Sequence, residues 1–196
     1  ENLGGEDERV QRLSLAAAAQ ITVSPLNVVI LQRLETPVAL QDLPLLGIPD
    51  QAFLSFPDRP GLMTKRPVRI QILGELALQP QQVVWDVGAG TGSVSIEVAR
   101  LVPDGEVWAI ERSAMGGELI RQNATRFATT NVMVVQGHAP PALAGLPAPH
   151  RVFIGGSQGQ MQAILDHCAQ YLRPQGRILV ALATLESLAE MTQWLQ

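Results

Sequence analysis

The stretch Val83–Ala99, VVWDVGAGTGSVSIEVA, joins an apolar run, a glycine-rich turn and a second apolar run with helical spacing. Val83–Val87 is rich in β-branched and aromatic residues, which predicts a strand buried on both faces of a parallel sheet. Gly88, Gly90 and Gly92 allow the backbone to turn sharply and to approach a ligand closely, because no Cβ stands in the way. A strand, a glycine turn and a helix N-terminus together predict a site for a nucleotide-like ligand.

The spacing of the glycines narrows the choice of ligand. In the dinucleotide fingerprint the third glycine follows two intervening residues, whereas here it comes one residue earlier, at Gly92, and Ser93 follows it. The pattern D-x-G-x-G-x-G over residues 86–92 resembles motif I of the class I methyltransferases, which bind S-adenosylmethionine. Glu111 ends the next predicted strand, where a carboxylate can accept hydrogen bonds from both hydroxyls of a ribose. A nicotinamide site, or a turn kept only for tight packing, is the alternative.

Composition limits the classes of protein to consider. The 196-residue chain is 46% hydrophobic and 16% charged, which is typical of a globular protein. A net charge of −4 argues against broad binding to nucleic acid or membrane surfaces. The single cysteine, Cys168, excludes an intrachain disulfide and a cysteine-cluster metal site, and we predict no metal. With no signal-peptide pattern and no membrane-length apolar run, the predicted location is cytoplasmic.

Strand and helix patterns alternate along the rest of the chain. Alternation of this kind predicts an α/β fold, a Rossmann-like parallel sheet with helices on both faces. The further predicted strands are 107–110, 131–135, 151–154 and 177–183, and the helices are 115–126, 161–171 and one from Leu185. A full class I methyltransferase continues with more strands, so we expect C-terminal strands to be missing. The sheet would then have an open edge, covered by another subunit or by the apolar run 28–31.

The first 60 residues lack the regular alternation of strands and helices predicted for the rest of the chain. Ser14 is a predicted cap for a short helix at 15–19, and a strand is predicted at 26–31. Because these two elements cannot bury a core, we interpret residues 1–34 as the C-terminal remnant of another domain. Residues 35–60 are proline-rich, which predicts a linker whose apolar side chains dock on a neighbouring surface. The methyltransferase domain would then be residues 61–196.

Two further clusters are candidates for binding a substrate. Thr64 is the predicted N-cap of a helix, and basic residues that oppose the helix dipole crowd its start. These are Arg59, Lys65, Arg66 and Arg69, and they form either a pocket for carboxylates or a solvated basic turn. The strand 151–154 is followed by Gly155, Gly156 and Ser157, which should face the same crevice as the first glycine turn. Their N–H groups could bind a substrate carboxylate.

The three histidines carry less information than the glycine loops. His138 follows the third strand and contacts either adenine or water. His150 has no neighbour that suggests a ligand. His167 and Cys168 are interpreted as packing residues, because no third partner is placed to activate a nucleophile.

Five motifs occur in the order expected of one family. They are GLMTK at 61–65, VVWDVGAGTGSVSIE at 83–97, AIER at 109–112, GHAP at 137–140 and FIGGS at 153–157. Over residues 46–190 the chain resembles the decarboxylating precorrin C5,15-methyltransferases of cobalamin synthesis. Residues 1–31 resemble the end of the tetrapyrrole methylase domain to which some members are fused. Departures are His138, where the family often has Asp, and Gln158, in a loop that is often richer in glycine.

The resemblance implies an activity and a set of binding residues. The activity is methylation at carbon 15 of a precorrin with loss of carbon dioxide from the ring C acetate, in a homo-oligomer expected to be a tetramer. The implied contacts to S-adenosylmethionine are Thr64, Asp86, Gly88, Ala89, Gly90, Thr91, Gly92, Glu111 and Ala139. The polycarboxylate precorrin would be bound by Lys65, Arg66, Arg69, Gly155, Gly156 and Ser157. No residue is identified as a general base.

Two other functions stay open on the sequence alone. One is a different small-molecule or RNA methyltransferase, although the fourth strand ends in IGGS and lacks the Asn/Asp-Pro-Pro-aromatic run of enzymes that methylate base amino groups. The other is a non-catalytic module that binds S-adenosylmethionine or serves in assembly.

Overall fold

The computed structural model describes residues 1–2, 4–31, 42–59 and 61–196. The chain divides into two compact units, Glu1–Pro37 and Val38–Gln196. In the first unit, helix α1 (Leu15–Ala18) begins as predicted, with the Ser14 hydroxyl accepting a hydrogen bond from the Ala17 N–H.

The predicted strand at 26–31 is wrong. These residues form no strand, and the apolar side chains of Leu26, Val28, Val29, Ile30 and Leu31 are exposed. The pattern was β-prone, but β-propensity becomes a strand only where a neighbour supplies ladder hydrogen bonds. Within the described residues, no strand pairs with this run.

The second unit is built on a five-stranded parallel sheet with the order β3-β2-β1-β4-β5. The strands are β1 (Val83–Val87), β2 (Glu106–Glu111), β3 (Val132–Gln136), β4 (Arg151–Ile154) and β5 (Arg177–Val180). The predicted α/β parallel sheet is confirmed, with β1 at its centre and β3 and β5 at its edges. The run 28–31 is not part of it.

Helices cover both faces of the sheet, as predicted. They are α2 (Arg66–Leu76), α3 (Ser93–Leu101), α4 (Ala114–Arg126), α5 (Met161–Tyr171) and α6 (Leu185–Trp194). One face packs α2 and α3 on Val84 and Phe153, and the opposite face packs α5 on Trp85 and Val87. Successive residues of β1 point to opposite faces of the sheet. Because helices cover both faces, all of β1 except Asp86 is apolar.

Residues 42–59 pack as part of the second unit. Leu43, Ile48 and Phe53 form a buried cluster with Ile96 of α3 and with Phe127, which follows α4. The prediction that apolar side chains of this segment dock is confirmed at Phe53 and Phe56, whereas Leu45 and Leu46 are exposed.

The start of α2 differs from the prediction. The helix begins at Arg66, with Lys65 in the N-cap position and no side-chain cap, so Thr64 is not the N-cap. Pro67 lies in the first turn, where its missing N–H does no harm. Among the helices of the described residues, none combines the length and the apolar character needed to cross a membrane.

Candidate active site

The carboxyl ends of β1, β2 and β4 border a cavity of about 460 Å³. This volume lies within the range of roughly 300–1,000 Å³ that is usual for small-molecule sites. Five of the residues that the family resemblance predicts to bind a ligand line it: Gly88, Glu111, Ala139, Gly156 and Ser157. Open α/β sheets bind ligands at the carboxyl ends of their strands, at the topological switch point where the strand order reverses.

The two glycine loops touch each other through their backbones. Gly88 has φ +77°, and a Cβ there would lie 2.7 Å from the carbonyl oxygen of Gly156 and 2.9 Å from its nitrogen. A side chain at position 88 would therefore separate the loops as well as strain the backbone. The N–H groups of Gly88 and Ala89 both donate to the carbonyl of Ile110, at 2.9 and 3.1 Å, which ties the turn to β2.

Glu111 is held between the glycine turn and the start of α4. Its Oε2 accepts a hydrogen bond from the Gly90 N–H at 2.9 Å, and its Oε1 accepts one from the Ser113 N–H at 2.8 Å. The residue is 9% exposed and lines the cavity. A carboxylate offers about four acceptor positions, so about two remain for a ligand.

Gly116 is a site residue that the sequence analysis missed. A Cβ at this position in α4 would lie 2.7 Å from Cγ of Glu111 and 3.1 Å from the carbonyl oxygen of Gly90. Its absence lets the first turn of α4 pack directly on the acid and on the glycine turn. The available signal was the cost of glycine inside a helix, about 1 kcal/mol relative to alanine, which hints at close packing.

Asp86 lies behind the glycine turn and does not line the cavity. Its Oδ2 accepts a hydrogen bond from the Ser95 hydroxyl of α3, while its Oδ1 has no partner in the described part of the chain. Burial raises the pKa of Asp86 to about 6; the hydrogen bonds from Ser95 oppose this shift and the charge of Glu111 adds to it. Thr91 is likewise buried with its hydroxyl unpartnered among the described residues.

Arg69 is a buried ion-pair partner, in contrast to its predicted role in binding a substrate. The side chain is 0% exposed, and its guanidinium donates to Glu97 at 2.8 Å and to Asp50 at 2.6 Å. It also donates to the Thr64 carbonyl at 2.6 Å and lies 4.8 Å from the ring centroid of Phe53. Among the described residues this side chain is fully buried and its charge is paired with two carboxylates, so it is not open to a substrate carboxylate.

The other residues of this cluster lie outside the cavity. Lys65 and Arg66 are exposed, and the Arg66 guanidinium donates to the Gly47 carbonyl at 2.6 Å. Thr64 is half-buried at the edge of the Arg69 network. None of the three lines the cavity, and neither do Gly90, Ala89, Thr91 or Gly92, which form the body of the turn.

Asn123 is a second residue that the sequence analysis missed. This fully buried amide on α4 exchanges two hydrogen bonds with the backbone of Leu54, at 2.8 and 3.0 Å. Its Nδ2 also donates to the Thr91 carbonyl at 2.9 Å. Asn123 therefore joins residues 42–59 to the glycine turn, and an isolated Asn in a helix gives no sequence signal of such a role.

The remaining candidate side chains divide between the site and the core. His138 lines the cavity beside Ala139. His167 packs between Trp85 and Tyr171, at ring-centroid distances of 6.2 and 4.7 Å. Cys168 is buried, and burial raises the pKa of its thiol to about 12, so the thiolate needed for nucleophilic attack is disfavoured.

Comparison with known proteins gives the family. A family model described as the precorrin methyltransferase domain matches residues 56–196. This chain belongs to that family. The matched range contains both glycine loops, Glu111 and Gly116, and it begins inside the docked segment 42–59.

Named precorrin methyltransferases are similar over different shares of their length. A precorrin-6Y C(5,15)-methyltransferase [decarboxylating] of a Sinorhizobium species is 34% identical over 186 residues, which are 95% of this chain but 44% of that protein. A cobalt-precorrin-6B C(15)-methyltransferase (decarboxylating) of Salmonella typhimurium is 40% identical over 139 residues, 71% of this chain and 70% of that protein. The chain thus spans less than half of the first relative.

A solved precorrin methyltransferase has the same fold. The crystal structure of a precorrin-6y C5,15-methyltransferase from Geobacter metallireducens matches with a TM-score of 0.74 and 40% sequence identity. The match covers 78% of this chain and 80% of that one.

Proposed function

We propose that this chain transfers the methyl group of S-adenosylmethionine to carbon 15 of a precorrin and couples this to decarboxylation of the ring C acetate. One observation carries the proposal. In a chain of the precorrin methyltransferase family, the Glu111 carboxylate lies in the cavity wall, held by Gly90 and Ser113 with acceptor positions to spare. The acceptor carbon and the decarboxylation come from the names of the relatives.

The residues of the cavity fit S-adenosylmethionine. The free acceptor positions of Glu111 suit the two ribose hydroxyls. Ile110, Ala139 and Pro140 give an apolar wall for the adenine, with His138 beside it. Gly88 and Gly156 line the cavity, and a Cβ at Gly88 would collide with the backbone of Gly156. The other predicted residues of the glycine turn do not line the cavity and would support the donor by fixing the conformation of the turn: Asp86, Ala89, Gly90, Thr91 and Gly92.

The acceptor would lie on the side of the cavity formed by the second glycine loop. Gly156 and Ser157 follow β4 and line this side of the cavity, where their backbone N–H groups would suit a carboxylate. The Gly155 N–H already donates to the Val87 carbonyl at 2.9 Å, so Gly155 has no N–H to offer. Lys65 and Arg66 are exposed cations that could bind the outer carboxylates of a tetrapyrrole. Arg69 has no part in this proposal. The Thr64 carbonyl accepts a hydrogen bond from Arg69, which also pairs with Asp50 and so holds residues 42–59 in place.

The chemistry requires orientation more than acid–base catalysis. When bound, the sulfonium donor supplies an electrophilic methyl group, and the reduced macrocycle is electron-rich at the accepting carbon. The task of the chain is to hold the two partners in line at about 3–3.5 Å, which supplies much of the rate acceleration. The macrocycle can take up the electron pair released with carbon dioxide, so we assign no side chain as a general base.

The proposal is tested by product analysis. The protein is incubated with S-adenosylmethionine and cobalt-precorrin-6B, and the products are examined by mass spectrometry. We expect the tetrapyrrole to gain one methyl group and lose one carbon dioxide, and to be unchanged when S-adenosylmethionine is omitted. Methylation with the carboxylate retained would contradict the decarboxylation. An unchanged tetrapyrrole in the presence of bound donor would contradict the whole proposal.

A further inference from the structure

We propose that the side-chain amide of Gln158 donates a hydrogen bond to a carboxylate of the tetrapyrrole and so sets the position of the acceptor beside the methyl donor. This role rests on the proposed function, because it assigns a further specificity-determining residue to that same site.

Gln158 lies between two cavities. The loop after β4 lies between the cavity lined by Glu111, which we call the donor cavity, and a second cavity of about 270 Å³. The second cavity is bordered by the start of α6. Three residues line both cavities: Gly156, Ser157 and Gln158. Gly156 has no side chain and Ser157 is buried, so Gln158 is the one of the three that offers an exposed functional group to both spaces.

The backbone conformation of Gln158 is one that glutamine rarely adopts. The Gln160 N–H donates to the Ser157 carbonyl at 3.0 Å and closes a four-residue turn. The central residues, Gln158 and Gly159, have φ values of +52° and +78°. A turn with positive φ at both central positions is type I′, which strongly favours Asn or Gly at its first central position. Gln158 therefore costs stability where Gly or Asn would not.

No hydrogen bond of the Gln158 side chain within the described residues offsets this cost. In the described part of the chain the Gln158 side chain has no hydrogen-bond partner. A strained residue beside a cavity, with an unused amide, is what a ligand contact would explain. Gln175 is a useful comparison: it also has positive φ, +62°, in the turn closed by Gly176 N–H and the Arg173 carbonyl at 2.8 Å. That turn lies before β5, at the amino end of this strand, whereas the second cavity is lined by Ala181 and Ala183 beyond its carboxyl end.

The charges around the second cavity favour an amide contact with a carboxylate. Glu186 and Glu190 lie in its wall, and Glu190 accepts a hydrogen bond from the Met161 N–H at 3.3 Å. These acids repel the carboxylates of the acceptor and so favour their approach to the loop. An uncharged amide can bind a carboxylate there without placing a second cation next to the sulfonium of the donor.

The experiment compares four variants with the wild-type chain: Gln158→Gly, Gln158→Ala, Gln158→Asn and, as the matched control, Gln175→Gly. Binding of S-adenosylhomocysteine is measured by calorimetry, and binding of cobalt-precorrin-6B by absorbance titration in its presence. Thermal unfolding is followed for all five proteins. Gln158→Gly and Gln175→Gly should each raise Tm by a few degrees, since both remove a side chain from a left-handed residue.

We expect acceptor binding to separate the two glutamines. Gln158→Gly and Gln158→Ala should weaken it by about tenfold or more, Gln158→Asn should restore part of it, and Gln175→Gly should leave it unchanged. Binding of S-adenosylhomocysteine should stay within about twofold in every variant. Normal acceptor binding by Gln158→Gly would overturn the role, and so would an equal loss of donor binding. Wild-type protein that binds neither ligand would contradict the proposed function itself.

Discussion

At the scale of single residues, Asp86 and Glu111, the two acids next to the first glycine turn, differ in the hydrogen bonds that their carboxylates accept. Glu111 accepts two backbone N–H groups and lines the cavity. Asp86 is fully buried, has one oxygen bound by Ser95 and one without a partner among the described residues. A half-satisfied buried carboxylate is costly when it is ionised, which is why its pKa is raised.

The raised pKa of Asp86 predicts a dependence of stability on pH. Its pKa rises from 3.8 to about 6 on folding, so the folded chain holds a proton that the unfolded chain releases. The stabilisation from this group is complete below pH 3.8 and is lost as the pH rises through about 6. The total change is at most about 3 kcal/mol.

Asp86→Asn tests this, because asparagine keeps an acceptor for Ser95 but cannot ionise. In urea unfolding between about pH 4 and pH 8, the variant should gain stability relative to the wild type up to about pH 7 and show a constant difference above it. A difference that does not change with pH would show that Asp86 is ionised in the folded chain throughout this range.

Single residues also show what the sequence could and could not predict. Glu111 was predictable, because its place after the second strand follows from the order of elements. The pairing of Arg69 was not, because its partners are distant in sequence, Asp50 in the segment 42–59 and Glu97 in α3, and only tertiary packing brings both of them to α2. Charge can be read from a sequence, whereas the group opposite a charge cannot.

At the scale of elements, the first turn of α4 forms part of the site. Gly116 and Gly117 are neighbours in this helix and both are buried, but they differ in the space around them. A Cβ at Gly116 would overlap Glu111, whereas a Cβ at Gly117 would meet Arg121 and Val134 at ordinary distances of 3.6 and 3.7 Å. The pair therefore separates a helix-propensity effect from an effect on the site.

Gly116→Ala should weaken binding of S-adenosylhomocysteine by about tenfold or more, because the added methyl group must displace the Glu111 side chain. Gly117→Ala should leave binding unchanged and stabilise the fold by about 0.5–1 kcal/mol. Calorimetric titration and urea unfolding of the two variants measure these effects. Equal binding by both variants would mean that the packing of α4 on Glu111 does not control the site.

Predictions of elements succeeded where burial makes the pattern strong. The bounds 151–154 and 161–171 agree with β4 and α5. The first is a short, mostly apolar run bounded by turn residues and the second is an amphipathic helix, and both patterns are strong. The apolar run 26–31 had a strand-like composition, but no described strand pairs with it. Composition predicts the tendency to form a strand, and tertiary partners decide whether it forms.

At the scale of the whole second unit, the site depends on parts of the chain that are distant in sequence. Residues 42–59 are fixed by Arg69 of α2 and by Asn123 of α4, and Asn123 also holds the glycine turn at Thr91. The cavity itself takes its walls from the loops after β1, β2, β3 and β4. Motif order could predict which loops meet, but not the buried polar contacts that fix them.

The central claim is that this cavity binds the adenosyl donor through Glu111. Calorimetric titration of S-adenosylhomocysteine into the wild-type chain, Glu111→Gln and Glu106→Gln tests it directly, since both acids lie in β2 but Glu106 is at its opposite, exposed end. We predict measurable binding by the wild type and by Glu106→Gln, and a Kd raised by at least about tenfold in Glu111→Gln. Absence of binding by the wild type, or wild-type affinity in Glu111→Gln, would contradict the account.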